Sequence, residues 1–140
     1  MRVSKTFVAV DAVLFKTINN NLNLLLIKRR NEPFKNAWAL PGGFVEEHED
    51  LEGAAVRELY EETQIKVQKL EQLKAFGAPF RDPRQHVVSV AYLGYAESTA
   101  EPIAADDAKE AQWFAVNDLP ELAFDHDEII KFALLKIKPL

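Results

Sequence analysis

Residues 43–65 read GFVEEHEDLEGAAVRELYEETQI, and the rest of the chain is organised around them. The spacing predicts a helix from Leu51 to about Gln64. Each helical residue turns about 100°, so Glu58 and Glu62 point roughly 40° apart and Glu61 lies about 60° from Glu58 on its other side. Three carboxylates therefore share one edge. The same rotation puts Ala55, Val56, Leu59, Tyr60 and Thr63 on an adjoining apolar face, so the acidic edge borders the buried side, as the wall of a cleft would. Asp50 suits the N-cap, where its charge also meets the positive end of the helix dipole. A run of Glu on a helix is ordinarily a solvated face. Yet like charges at i and i+4 cost a helix about 0.2 to 0.5 kcal/mol per pair. A divalent cation between them would reverse that cost.

Upstream of this stretch, Thr6 to Phe15 alternates as a strand, with Phe7, Ala9, Val13 and Phe15 on the face that also carries Asp11. The polar run Thr17 to Asn21 predicts a hairpin-like turn. Leu22 to Arg29 reads as a second strand whose LLLI core is buried on both faces. Arg30 to Asn36, with Pro33, forms a loop, and Trp38 to Leu40 a short strand. Pro41-Gly42-Gly43 ends that strand and lets the backbone pass close to another group.

Downstream, Val67 to Phe80 predicts a strand kinked near Gly77, and His86 to Ala96 a long one. Glu97 to Lys109 is an acidic, alanine-rich loop suited to a flexible cover or a spacer. Glu110 to Val116 is the last predicted strand. Asp125, with Glu128 three residues on, makes a capping-box-like start to a terminal helix whose apolar face is Ile129, Ile130 and Phe132 to Leu135. The alternation of strands and two helices predicts a layered α/β (α+β) domain, a mixed sheet carrying helices, over residues 1–140.

A chain of 140 residues is long enough for one domain with a real core. It has no cysteine, which excludes disulfides, thiolate metal sites and a cysteine nucleophile, and suits a reducing cytoplasm. No segment approaches the roughly 20 apolar residues of a membrane span, and no small-residue cleavage site follows the apolar N-terminal run. A net charge of -5 argues against a broad nucleic-acid surface but leaves room for a small anionic substrate whose charge metal ions would neutralise. His48, His86 and His126 have no spacing that predicts a zinc site.

The spacing around the helix also fits a longer pattern, G-x5-E-x7-R-E-U-x-E-E-x-G-U with U a bulky aliphatic residue. Gly43, Glu49, Arg57, Glu58, Leu59, Glu61, Glu62 and Ile65 fall on its specified positions, and only Gln64 departs, standing where the pattern has glycine. By this box the chain resembles the Nudix hydrolase superfamily. By Trp38 to Glu46, Pro79 to Arg84, Asp106 to Ala108, Trp113-Phe114 and Leu122 to His126, it resembles the ADP-ribose pyrophosphatase-like branch.

The resemblance implies a Nudix-type α/β/α sandwich with a mixed β-sheet and dependence on Mg²⁺ or Mn²⁺. It also implies cleavage of a nucleoside diphosphate linked to another group, most directly ADP-ribose to AMP and ribose 5-phosphate. Glu58 and Glu62 would be the main metal ligands and Glu61 a further ligand or base, with a backbone contact at Gly43. Arg57 and Glu49 would form a supporting ion pair. Glu110 and the Asp106-Asp107 pair are further candidates for the base.

Arg81 and Arg84 in the RDPR loop are candidate phosphate-binding groups, with Arg30 and Phe34 from the earlier loop. A homodimer is implied by the family. Other Nudix substrates, such as a nucleoside triphosphate or a dinucleoside polyphosphate, are the alternative within the enzyme class. Outside it stands a sensor that binds a nucleotide sugar without turnover. Relatives of that kind carry a DNA-binding domain, and none is expected here, since the sequence ends soon after the predicted terminal helix. Should the helix end in a left-handed residue, Gln64 at the glycine position would cost on the order of 1 kcal/mol.

Overall fold

The computed structural model describes residues 2–137. In chain order the elements are β1 (Thr6–Ile18), β2 (Asn21–Arg29), β3 (Trp38–Ala39), β4 (Gly42–Phe44), α1 (Leu51–Thr63), β5 (Glu71–Phe76), β6 (His86–Tyr95), β7 (Ala108–Ala115) and α2 (His126–Ile137). The strands run β3-β2-β1-β6-β5 across one sheet, with β4 also pairing β1 and β7 pairing β2. β1 and β6 are parallel, Thr6 opposite His86 through Phe15 opposite Tyr95, and the other pairs are antiparallel. The sheet is therefore mixed, as the order of elements predicts.

Strand alternation sorts the core into two layers. Val10, Ala12 and Leu14 of β1 pack with Leu25, Tyr92 and the α1 residues Ala54, Ala55 and Leu59. Val13 and Phe15 pack instead with Leu24, Leu26, Leu40 and the α2 residues Ile129, Ile130 and Ala133. One helix covers each face, giving the α/β/α arrangement, and β2 is buried on both faces from Asn23 to Ile27. Asp11, an odd-numbered residue of β1, projects toward the α2 side. Phe7 does not begin the buried face as the alternation predicts. It belongs to neither of these clusters, is 45% exposed, and packs edge-to-face with the Phe44 ring.

Other boundaries also move for identifiable reasons. The turn between β1 and β2 narrows to Asn19-Asn20, both at positive φ, because asparagine tolerates the left-handed region. Gly42 and Gly43 do not merely end a strand: they form β4 against Val10 and Asp11. The expected strand from Val67 starts only at Glu71, since the Leu70 amide donates to the Glu52 side chain rather than to a neighbouring strand. Tyr60 points outward at 42% exposure, while Glu62 is buried in its place.

The loop from Glu97 to Lys109 is not a loose cover. Its Ile103 and Ala105 amides donate to the carbonyls of Thr63 and Glu62, two of the acceptors that the C-terminus of α1 leaves unpaired. At the other end of α1, Asp50 caps the helix by accepting from the Gly53 amide.

Gln64 closes α1 with φ 62°, the left-handed conformation in which a Cβ is strained. Gln64→Gly should therefore raise unfolding free energy by about 0.5 to 1 kcal/mol, the relief slightly exceeding the entropy that glycine gains in the unfolded chain. Denaturant melts would measure it, and turnover should be unchanged.

Candidate active site

α1 lays its acidic edge beside β4, so the carboxylates face glycine backbone. Glu62 is 4% exposed, and its Oε1 accepts from the Gly42 amide at 2.9 Å. No cation pairs with it among the described residues. Burial pushes its carboxyl up to about 9, helped by the neighbouring charges of Glu58, Asp107 and Asp11 and opposed by the Gly42 hydrogen bond. Glu58 is likewise raised by burial, against the pull of Arg57. Its carboxylate lies flat on Gly43, where an added Cβ would sit 2.5 Å from Oε2. Only glycine leaves room for the carboxylate there.

Arg57 joins the remaining members of the box. Its Nε and Nη2 donate to both oxygens of Glu49 at 2.6 and 2.9 Å, while Nη1 donates to Glu58 at 2.8 Å and Glu61 at 2.9 Å. Glu49 in turn accepts from the Glu46 amide, and Nη2 of Arg57 reaches the Phe44 carbonyl. One planar guanidinium thus fixes the loop before α1 and two of the three helix carboxylates. The Arg57 hydrogen bond holds the Glu49 carboxyl below its ordinary range.

Glu58, Glu62 and Gly42-Gly43 line a cleft of about 440 Å³. Cationic side chains line the same cleft. Arg29, at the end of β2, is anchored by Nε to the Pro33 carbonyl and lies 5.0 Å from the centre of the Phe124 ring. Arg84 is held by Asp82 through two side-chain hydrogen bonds of 3.0 and 2.7 Å and lies between the rings of Phe44 and Phe124. Burial lowers the Arg29 pKa, and the nearby charge of Arg84 lowers it further, so the two guanidiniums face one region. Asp107 also lines the cleft.

The predicted site residues are therefore distributed unevenly. Glu58, Glu62, Arg57, Gly43, Arg84 and Arg30 line the cleft, with Glu49 and Glu61 joined to it through Arg57. Arg30 also donates to the Ala108 carbonyl at 3.4 Å. Arg81 is not at a loop tip. It is almost fully buried and donates to both oxygens of Asp125, so its guanidinium is committed inside the protein. That bidentate pair also takes the side chain expected to cap α2, where the Glu128 amide finds the Asp125 backbone carbonyl instead. Phe34 packs at a tilt against Phe124, with centroids 4.7 Å apart, and lines a separate groove beside Trp38. Glu110 pairs with Lys28 across the sheet edge. Arg29 and Asp107 belong to the cleft, although strand alternation marks Arg29 only as a strand end.

No group of three or more histidine or acidic side chains is gathered into a single coordination sphere among the described residues. The donor chemistry nonetheless fits a hard divalent cation. Glu62 is a buried carboxylate with no salt-bridge partner among the described residues, beside the partly buried carboxylate of Glu58 and a glycine backbone, and oxygen donors of this kind suit Mg²⁺ or Mn²⁺.

A mixed sheet between two helices, with this box on the first helix, defines a Nudix domain. Residues 5–133 match the NUDIX domain family, and the chain belongs to that family. It is 50% identical over 126 residues to an ADP-ribose pyrophosphatase of Methanocaldococcus jannaschii, covering 89% of this chain and 70% of the relative. It is 35% identical to an ADPR responsive transcriptional repressor of Acinetobacter baylyi, covering 91% of this chain and about half, 53%, of that protein. Among solved structures, the NUDIX domain of Shewanella oneidensis NrtR complexed with ADP ribose superimposes with a TM-score of 0.89 at 35% identity, covering 97% of this chain and 91% of that one. A MutT/nudix family protein from Enterococcus faecalis gives 0.90 at 37% identity, covering 98% of this chain and 64% of its own. No described helix is long and apolar enough to cross a membrane.

Proposed function

We propose that this Nudix enzyme hydrolyses the diphosphate of a nucleoside diphosphate linked to another group, with ADP-ribose as substrate and AMP and ribose 5-phosphate as products. The observation that carries this reading is the mixed lining of one cleft: the carboxylates of Glu58 and Glu62, the guanidiniums of Arg29 and Arg84 laid over aromatic rings, and the glycine backbone of Gly42-Gly43. Water adds across the P–O–P bridge. One phosphorus gains the hydroxyl, the bridging oxygen leaves on the other, and a proton is released.

Glu58 and Glu62 would hold Mg²⁺ or Mn²⁺, with Glu61 a further ligand or the base and Gly43 offering backbone. The cation would neutralise phosphoryl charge and activate water. Arg84 and Arg29 would grip the diphosphate oxygens, with Arg30 at the cleft edge. Asp82 fixes the orientation of Arg84, so less side-chain freedom is lost on binding. Arg81 and Phe34 would act from behind this layer. Residues 1–140 are proposed to work as one Nudix domain, in the cytoplasm and as the homodimer that the family resemblance implies.

The test is turnover by the purified protein with Mg²⁺ across ADP-ribose, nucleoside triphosphates and dinucleoside polyphosphates, with product identification. ADP-ribose should give the highest kcat/KM. The similarity to an ADPR responsive repressor favours a second reading, binding without hydrolysis. Tight ADP-ribose binding by calorimetry with no product would establish it. Arg84→Ala should raise KM for ADP-ribose by at least about tenfold, as loss of a charge-assisted hydrogen bond predicts. An unchanged KM would remove Arg84 from the substrate site.

A further inference from the structure

The segment from Leu40 to Gly42 is tied at two amides, one to each helix. On the α1 side the Gly42 amide donates to Glu62. On the α2 side the Leu40 amide donates to Nδ1 of His126, the first residue of α2, at 3.0 Å. His126 is 4% exposed. Because Nδ1 accepts, the ring carries its proton on Nε2, which lies 3.5 Å from Asp11 Oδ1. Asp11 accepts from the Ser89 hydroxyl through its other oxygen. Asp11 also pairs directly with Gly42 in the sheet, and a Cβ on Gly42 would fall 2.6 Å from Asp11 Oδ1. Between the two amides, the Pro41 carbonyl accepts from Ala12.

This is a polar network buried in the apolar layer under α2. A phenyl ring would fill the same space without needing partners. Its connections run to the backbone that carries the Glu62 hydrogen bond, and residues from both sides of it, Asp11, Gly42, Arg29 and His126, line one small cavity of about 60 Å³. Tertiary packing alone does not require a satisfied imidazole there.

We propose that His126 is a positioning residue for Glu62: by accepting from Leu40 and setting its Nε2 edge against Asp11, it fixes the height of the Gly42 amide and hence the orientation of the Glu62 carboxylate. The inference rests on the reading of Glu62 as a cation ligand. Its action passes through three backbone residues, Leu40, Pro41 and Gly42. A change at Glu62 therefore reaches the ring, and a change at the ring reaches Glu62.

The experiment is Mg²⁺ titration of the isotopically labelled wild-type chain, with calorimetry of Mg²⁺ binding run alongside on wild type, His126→Phe and His126→Asn. Mg²⁺ should shift the Gly42 amide, the Leu40 amide and the His126 ring nitrogens with one common affinity. His126→Phe should weaken Mg²⁺ binding and lower kcat by about 10- to 100-fold, the range typical of groups that orient a metal ligand, with KM for ADP-ribose changed less than about twofold. His126→Asn places an amide oxygen where Nδ1 stood and should recover most of both.

If Mg²⁺ binds and moves Gly42 but leaves Leu40 and the His126 ring unshifted, the inference is overturned, whether or not His126→Phe folds. A folded His126→Phe with wild-type Mg²⁺ affinity and kcat overturns it equally. If wild type binds no Mg²⁺ at all, the cation reading of Glu62 fails first and takes the inference with it.

Discussion

Glu62→Gln should abolish turnover and, in the absence of metal, make the folded protein more resistant to unfolding at pH 8. The two effects have one cause. Glu62 is buried with no salt-bridge partner among the described residues, and burial pushes its carboxyl from an ordinary 4.5 to about 9. A carboxyl raised on folding contributes stability below its unfolded pKa and loses it as pH climbs through the folded value. Metal-free wild type should therefore weaken progressively between about pH 4.5 and 9. Glutamine keeps an oxygen for the Gly42 amide and has no proton to lose, so this part of the slope should vanish.

A cation reverses the wild-type penalty, since a ligand that binds only the folded chain adds about 2.7 kcal/mol at a concentration 100 times its Kd. Thermal melts at pH 5 and pH 8, with chelator or with Mg²⁺, separate the cases. Wild type should show a pH slope that Mg²⁺ reduces; Glu62→Gln should show a shallower slope and no Mg²⁺ response. Its kcat should fall by more than the roughly 100-fold that marks the upper range for groups behind a metal ligand. Retained Mg²⁺ stabilisation together with activity within about tenfold of wild type would take Glu62 out of the ligand set.

The legible part of this site was local. Helical rotation alone puts Glu58, Glu61 and Glu62 on one edge next to Leu59, and Asp50 caps where a polar residue before an apolar-periodic run is expected to cap. The mixed sheet follows from the order of elements.

What stayed hidden depends on contacts between distant residues. His126 reads as an ordinary helix-start residue until the fold brings it against Leu40, 86 positions away. Arg29 looks like the polar end of an apolar strand, and becomes a cleft residue because Phe124 lies under it and Pro33 anchors it. The RDPR loop misleads for a related reason. Its sequence offers two equivalent arginines, but Asp125 at the start of α2 takes Arg81 into the interior and Asp82 leaves Arg84 at the cleft. Arginines compete for acidic partners in three dimensions, and spacing carries no record of which one wins.

Arg57→Lys should cost nearly as much turnover as Arg57→Ala, although it keeps the positive charge. The guanidinium serves Glu49 with two donors while a third nitrogen bridges Glu58 and Glu61. An ammonium is a point charge with no fork, so it can stand near Glu49 or near the helix carboxylates but not hold both. Glu58 then loses the charge that opposes its burial, and its pKa, already raised, should rise further. Glu49, held low by the Arg57 hydrogen bond, should return toward its ordinary range.

A carboxyl must be ionised to take a cation, so the acidic limb of the kcat/KM profile should move to higher pH in both variants, further in Arg57→Ala. At its plateau, kcat should remain about 10- to 100-fold below wild type in both, because the orientation of Glu58 against Gly43 depends on the fork and not on the charge. Excess Mg²⁺ should recover part of the loss at low pH, where protons compete for the site, and little at the plateau. A lysine variant with wild-type plateau kcat and an unmoved acidic limb would reduce Arg57 to a generic surface cation. The loop at Glu49 would then have to be held by something other than the two charge-assisted bonds it accepts from Arg57.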